Sequence, residues 1–249
     1  FPTIPTAGAS TLLFTETAAA GTTHTFPSLT TLDNASGDLL IAVIVLYQAS
    51  ATGNAFSSWG AGFTEFPGGD SSSATDPSIA MGCAYLFSAG TETGTFTVTS
   101  SISGRAAMCL MSVKAAHLST VPEVAFSGPT TTTAQDPPNI DPSWVQGDSL
   151  YIAVAGGGQT SLTGSWGGIT SAPASYGDYA ESAIAGGDAI GACQIAVAFR
   201  QLNADAENPG SCTTDTSPEI ERAATIAVRA PLGISPAPAV TAVTVAFGN

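Results

Sequence analysis

Positive charge is scarce: five Lys and Arg stand against nineteen Asp and Glu, a formal net charge of −14. Lys114 is the sole lysine, and Arg105, Arg200, Arg222 and Arg229 are scattered. A phosphate backbone is gripped by several clustered cations, so the composition speaks against nucleic-acid binding. A polybasic membrane anchor fails for the same reason. Long apolar runs are lacking too. The longest, residues 39–47, is about half of what a membrane-crossing helix requires, so no membrane insertion is expected. No charged stretch followed by an apolar core opens the sequence, as a signal peptide would. Four cysteines in 249 residues are too few for a disulfide scaffold, and none stands in a C-x-x-C pair of the kind zinc favours. No metal or other cofactor is expected.

What is present is apolar mass. Hydrophobic residues make up 44% and charged residues 10% of the chain, the reverse of a disordered composition. The apolar pattern has period two or runs unbroken, as strands do, and rarely has the helical period. Strands are expected at 11–17, 38–48, 79–88, 94–101, 105–114, 148–155, 189–200, 210–216, 221–229 and 239–247. The stretches between them are rich in Gly, Pro, Ser and Asp and read as turns and loops. The fold class is all-β, an antiparallel β-sandwich of jelly-roll-like form.

The sequence also repeats itself. Gly37-Asp38-Leu39-Leu40-Ile41-Ala42-Val43 returns, with one insertion, as Gly147-Asp148-Ser149-Leu150-Tyr151-Ile152-Ala153-Val154. Trp59-Gly60 returns as Trp166-Gly167, Ile79 to Cys83 as Ala189 to Cys193, and Arg105-Ala106-Ala107 as Arg222-Ala223-Ala224. The offsets are 110, 107, 110 and 117 residues in unchanged order, which indicates a sandwich built from two related halves. Residues 1–117 form the first repeat and 118–231 the second. Apolar strands flank the Pro/Thr-rich stretch 129–138 closely, so the halves are expected to pack as one body. Residues 232–249 read as a C-terminal arm ending in a strand, available for donation to a neighbour.

Few residue patterns point to chemistry. Asp38 and Asp148, with Asp70, Asp76, Asp136 and Asp141, supply oxygens for Ca²⁺, yet no D-x-[DN]-x-[DN]-G loop is present. Gly-Asp before a strand reads as a turn, Gly taking positive φ and Asp capping amides. His24 and His117 are the only candidate bases for a Ser-His-Asp triad, and no G-x-S-x-G elbow accompanies them. Glu219 and Glu221 share a strand face, a like-charged pair suited to solvent. Trp59 and Trp166 occupy repeat-equivalent places and read either as packing residues or as platforms for a surface glycan. Cys193 and Cys212 face each other if 189–200 and 210–216 form a hairpin, which makes a disulfide conceivable. Cys83 with Cys109 is a second candidate pair, and buried free thiols are the alternative.

Residues 39–47 carry a further message. On a strand, Leu39, Ile41, Val43, Val45 and Tyr47 face one way and Leu40, Ala42, Ile44 and Leu46 the other. Both faces are apolar, whereas a strand with one wet face alternates. An internal loop or a neighbouring subunit must cover the second face, making Leu40, Ala42, Ile44 and Leu46 a candidate assembly face.

The Gly37–Val43 entry resembles a known family, as do Pro142-Ser143-Trp144 leading into Gly147–Gly156, and Arg200-Gln201-Leu202-Asn203-Ala204 with Glu207-Asn208-Pro209-Gly210. So does Thr225–Pro231. The family comprises β-rich structural proteins of tailed bacteriophages, tail or fibre components and head-decoration proteins. The resemblance implies a non-enzymatic virion protein on the particle surface, a homo-oligomer whose partners are other virion proteins. It carries no catalytic residues and no cofactor. A carbohydrate-binding module using Trp59 and Trp166 is the competing reading.

Overall fold

The computed structural model describes residues 1–2, 11–48, 54–72, 78–144, 146–159, 169–184, 192–214 and 220–231. Every regular element among them is a strand. In chain order these are β1 (Leu12–Thr25), β2 (Leu39–Gln48), β3 (Phe56–Ser57), β4 (Thr64–Ser72), β5 (Ser78–Phe87), β6 (Thr97–Val113) and β7 (Glu123–Phe126). The second half continues with β8 (Ala134–Gln135), β9 (Gly147–Gln159), β10 (Ile169–Ser171), β11 (Gly177–Ile184), β12 (Ala192–Ala204), β13 (Cys212–Thr214) and β14 (Ile220–Arg229).

Two antiparallel sheets stack face to face. One runs β1-β6-β2-β5-β4, with β3 also paired to β6, and the other runs β7-β14-β9-β12-β11. Ordered by first appearance in each half, both sheets have their strands arranged first-fifth-second-fourth-third. Each repeat thus folds into one sheet of the same topology, and the fold is an antiparallel β-sandwich. The repeat landmarks agree with this. Gly37-Asp38 leads into the central strand β2 and Gly147-Asp148 opens the central strand β9, while Arg105 and Arg222 sit on β6 and β14.

The interior follows from side-chain alternation. Leu39, Ile41, Val43, Val45 and Tyr47 of β2 meet Leu150, Ile152 and Val154 of β9 in a core that both sheets line. The reverse face of β2 is also dry. Leu40, Ala42, Ile44 and Leu46 are at most 1% exposed, roofed by Phe26, Leu29, Leu32, Phe56, Phe63 and Phe96. Burying side chains of this size stabilises the fold by roughly 1.5–3 kcal/mol each. The chain's own loops supply the cover, and that face is not an assembly surface. The second sheet uses the same device. Tyr151 and Ala153 on its outer side lie under Ile140, Trp144 and Tyr176, and Ala155 lies beside Ile169 and Cys212 of the small sheet β10-β13-β8.

Expected strands 94–101 and 105–114 are one continuous strand, β6. The break at Ser103-Gly104 is absorbed as irregular register against β1, and Gly104 is needed because a Cβ there would lie 2.6 Å from the Tyr47 carbonyl oxygen. Expected strand 239–247 lies outside the described residues.

Candidate functional site

The Gly37-Asp38 turn, the first residues of β9 (Gly147-Asp148, which pair with β12 as strand and form no turn), the connector 114–122 between the halves, and the end of β14 gather at one pole of the sandwich. Gly37 has φ +92°, the left-handed conformation that glycine adopts without strain. Asp38 beside it is held on three sides. Its Oδ2 accepts from the Ala35 N–H at 2.6 Å and the Ser112 hydroxyl at 3.4 Å, and pairs with Lys114 Nζ at 2.6 Å. The same ammonium donates to the Asp33 carbonyl at 2.9 Å, tying the connector to the turn before β2. Asp148, its repeat counterpart, is more open. Its Oδ1 accepts from Asn203 Nδ2 at 2.8 Å, the Phe1 amine lies 3.9 Å from Oδ2, and its carbonyl accepts from the Ala230 N–H.

The connector is shaped by His117. Its Nδ1 accepts from the Thr120 N–H at 3.1 Å and the Thr120 hydroxyl at 2.9 Å, while its own N–H donates to the Arg229 carbonyl. This turn leaves Leu118 facing solvent. Among the described residues the exposed large apolar side chains are Phe1 (50%), Leu118 (59%) and Val121 (37%), all at this pole. Two shallow cavities meet at Ser119. One of about 460 Å³ is bounded by Gly37, Leu118 and Pro231, the other of about 500 Å³ by Pro67, Val121 and Val124. Together they form a groove along the connector.

The other expected site residues have structural duties. Trp59 is half-buried with its ring 6.0 Å from Phe26 and 6.3 Å from Phe56, closing the roof over β2. Trp166 lies outside the described residues, as do Asp76 and Glu219. Cys193 and Cys212 are free thiols in different layers. Cys193 points between the sheets toward the Val45 carbonyl, and Cys212 sits in the small sheet on the outer side, so the hairpin expected to join them does not form. Cys83 and Cys109 are both in register with Val43 but on opposite sides of β2, two strand spacings apart and too far to bridge. Burial pushes Cys193 and Cys212 up to about 12 and Cys83 and Cys109 higher still, leaving these thiols inert.

His24 is fully buried and held down at about 4 by burial. Its Nε2 lies 2.9 Å from Ser100 Oγ, but that hydroxyl donates to the Ile102 carbonyl at 2.7 Å, so the imidazole donates to the serine and does not activate it. Its Nδ1 meets no carboxylate. Glu221 corrects the expectation of a solvated pair: it is 0% exposed, roofed by β8 and its approach. Burial lifts its carboxyl to about 7, against the hydrogen bond from the Thr132 hydroxyl, which favours the charged form. Sequence reading missed it because an acidic side chain alternating outward on a strand looks wet until a second layer is known to cover it.

Asp136 and Asp141 are exposed, and among the described residues no three His, Cys, Asp or Glu side chains come together in a metal-ligand cluster. No helix of the described residues is long and apolar enough to cross a membrane. The connector groove was also missed by sequence, although Leu118 and Val121, the large apolar residues of the connector, were its available signal. Comparison with protein-family models, with curated proteins and with solved structures finds no match.

Proposed function

We propose that this chain is a non-enzymatic structural protein that works through protein–protein contacts, with a second copy as its first partner. The observation that carries the reading is the apolar pole. Leu118 and Val121 are exposed together on the connector beside the groove, with Phe1 exposed near Asp148 at the same end, on a body whose net charge is −14. Clustered exposed apolar side chains mark interaction surfaces, whereas isolated ones are ordinary. Arg105 and Arg222 are buried; Lys114 and Arg229 stand at the pole, where Lys114 is paired with Asp38 and Asp33.

The supporting architecture is a stiff block: two sheets of like topology closed on one core, with an additional layer outside each. In the setting that the resemblance implies, the protein is a surface component of a tailed-phage particle, on the head or on the tail. Imaging native particles with an antibody fragment raised against this chain tests the setting. Regularly spaced label on head or tail supports it. Unlabelled particles, together with binding of a purified sugar that Trp59→Ala abolishes, turn the reading toward a carbohydrate-binding module.

A further inference from the structure

Glu221 is roofed by a thin strap, residues 130–135, which ends in β8. The strap is anchored on one side by Ser127, bonded to Ala223, and on the other by the Pro138 carbonyl, which accepts from the Thr225 hydroxyl. Between these anchors it meets β14 at one bridge, where Thr130 and Glu221 exchange backbone hydrogen bonds of 3.1 and 2.8 Å. The layer beneath is poorly satisfied. Glu221 and Gln135 are both 0% exposed, yet Glu221 Oε2 and both amide atoms of Gln135 form no hydrogen bond. Water would satisfy these atoms, so the seam opens more readily than the packed sheets.

Hydrogen counting fixes the state of the closed strap. Thr132 has one hydroxyl hydrogen and two acceptors, the Ala134 carbonyl at 3.0 Å and Glu221 Oε1 at 3.1 Å. A protonated Glu221 serves both, donating to Thr132 Oγ1 while Thr132 donates to Ala134. An ionised Glu221 takes the hydrogen from Ala134 and still leaves Oε2 bare. Among the described residues no cation faces it. β13 presents Cys212, pushed up to about 12 and hence neutral, with the acidic Asp136 beyond it. β12 presents Gln194 and Ala196, β9 presents Gly157, and Arg222 alternates to the opposite face with Ile220 and Ala224.

We infer that the strap 130–135 is a proton-held closure: protonated Glu221 keeps it on β14, and ionisation releases it. The closure stands apart from the assembly reading above. Burial raises the carboxyl from its ordinary 4.5 to about 7 in the closed form. Between these values the open form has released a proton that the closed form keeps, so opening rises about tenfold per pH unit and levels off above the upper value. Below the lower value both forms are protonated and the strap is shut most firmly.

Amide exchange of the full chain at about pH 4.5 and about pH 7.5, corrected for the intrinsic pH dependence of exchange, tests this. The Thr130, Glu221 and Thr214 amides bond to or across the strap. They are expected to lose protection on the order of a hundredfold at the higher pH, while the amides of β2 keep theirs. Glu221→Gln, whose amide donates to Thr132 as the protonated acid does, is expected to stay protected at both values. Equal strap protection at both values, or a loss in β2 as large as that in the strap, overturns the closure. So does a Glu221→Gln protein that loosens with pH as the parent does. Should that variant fail to fold, Thr132→Val removes the acceptor of the same proton: strap protection at the lower pH is expected to fall toward the parent's level at the higher one, and an unchanged value overturns the closure.

Discussion

Tyr47 and Gly158 occupy equivalent positions in the two repeats and touch each other across the sandwich. A Cβ placed on Gly158 would lie 2.0 Å from Tyr47 Cδ2, and one on Gly156 would lie 2.5 Å from Cγ2 of Val45, its own counterpart. Two related sheets stacked face to face bring equivalent residues together, and two large side chains do not fit there. The first repeat carries the bulk and the second carries glycine. Gly158→Ala should therefore destabilise the protein by about 1–3 kcal/mol through overpacking. Adding Tyr47→Leu should recover part of that loss, giving a favourable coupling in a double-mutant cycle of urea unfolding. Strict additivity would mean that the two positions do not press on one another.

Two buried titratable groups act on stability in opposite directions. Glu221 is raised from 4.5 to about 7, so between these values the folded chain holds a proton that the unfolded chain has released, and stability falls as pH rises. His24 is lowered from 6.5 to about 4, so between these values the unfolded chain binds a proton that the folded chain refuses, and stability rises with pH. Each slope has an upper bound of about 1.4 kcal/mol per pH unit, and between 4.5 and 6.5 they oppose each other. Glu221→Gln should expose the rise and His24→Gln the fall, read from urea midpoints at each end of that window. A Glu221→Gln protein with the parent's pH dependence would mean that the carboxyl is ionised in the fold.

The repeat-equivalent aspartates should differ in worth. Asp38 is enclosed by Ala35, Ser112 and Lys114, and its removal takes the Ala35 amide's acceptor and the nearest carboxylate of Lys114, leaving that ammonium to Asp33. Asp38→Ala should cost about 2 kcal/mol. Asp148 has a side chain 43% exposed, and Asp148→Ala should cost under about 1 kcal/mol. Thermal unfolding of the two variants side by side checks the order, and equal losses would contradict it.

All four thiols should resist a thiol reagent in the native protein and react together on unfolding, because each is buried and none is bridged. Titration with a coloured disulfide reagent, with and without denaturant, gives the count. Two thiols missing from the denatured count would indicate a bridge.

Much of the frame was legible in the sequence. The ten-residue strand β2, apolar on both faces, demanded cover on both sides, and the Gly-Asp repeat located its partner β9. What supplied the cover was not legible. Phe26, Phe63 and Phe96 stand in loops, where period-two patterning is silent, and only the tertiary fold carries them over Leu40 and Ile44. The same blindness put Glu221 in water and paired Cys193 with Cys212: each error placed a residue by its strand alone, without the extra layer formed by β8, β10 and β13. The pole was hidden for a related reason. It is made by the meeting of the connector, the Gly37 turn and the end of β14, which lie far apart in sequence.

Sedimentation velocity of the full chain across a hundredfold range of concentration, beside Leu118→Asp with Val121→Asp, tests the apolar pole most directly. The account predicts a mass that grows with concentration in the parent and stays that of one chain in the variant, with thermal stability unchanged because both side chains are exposed. A parent that stays a single chain throughout, or a variant that associates as well as the parent, would contradict it.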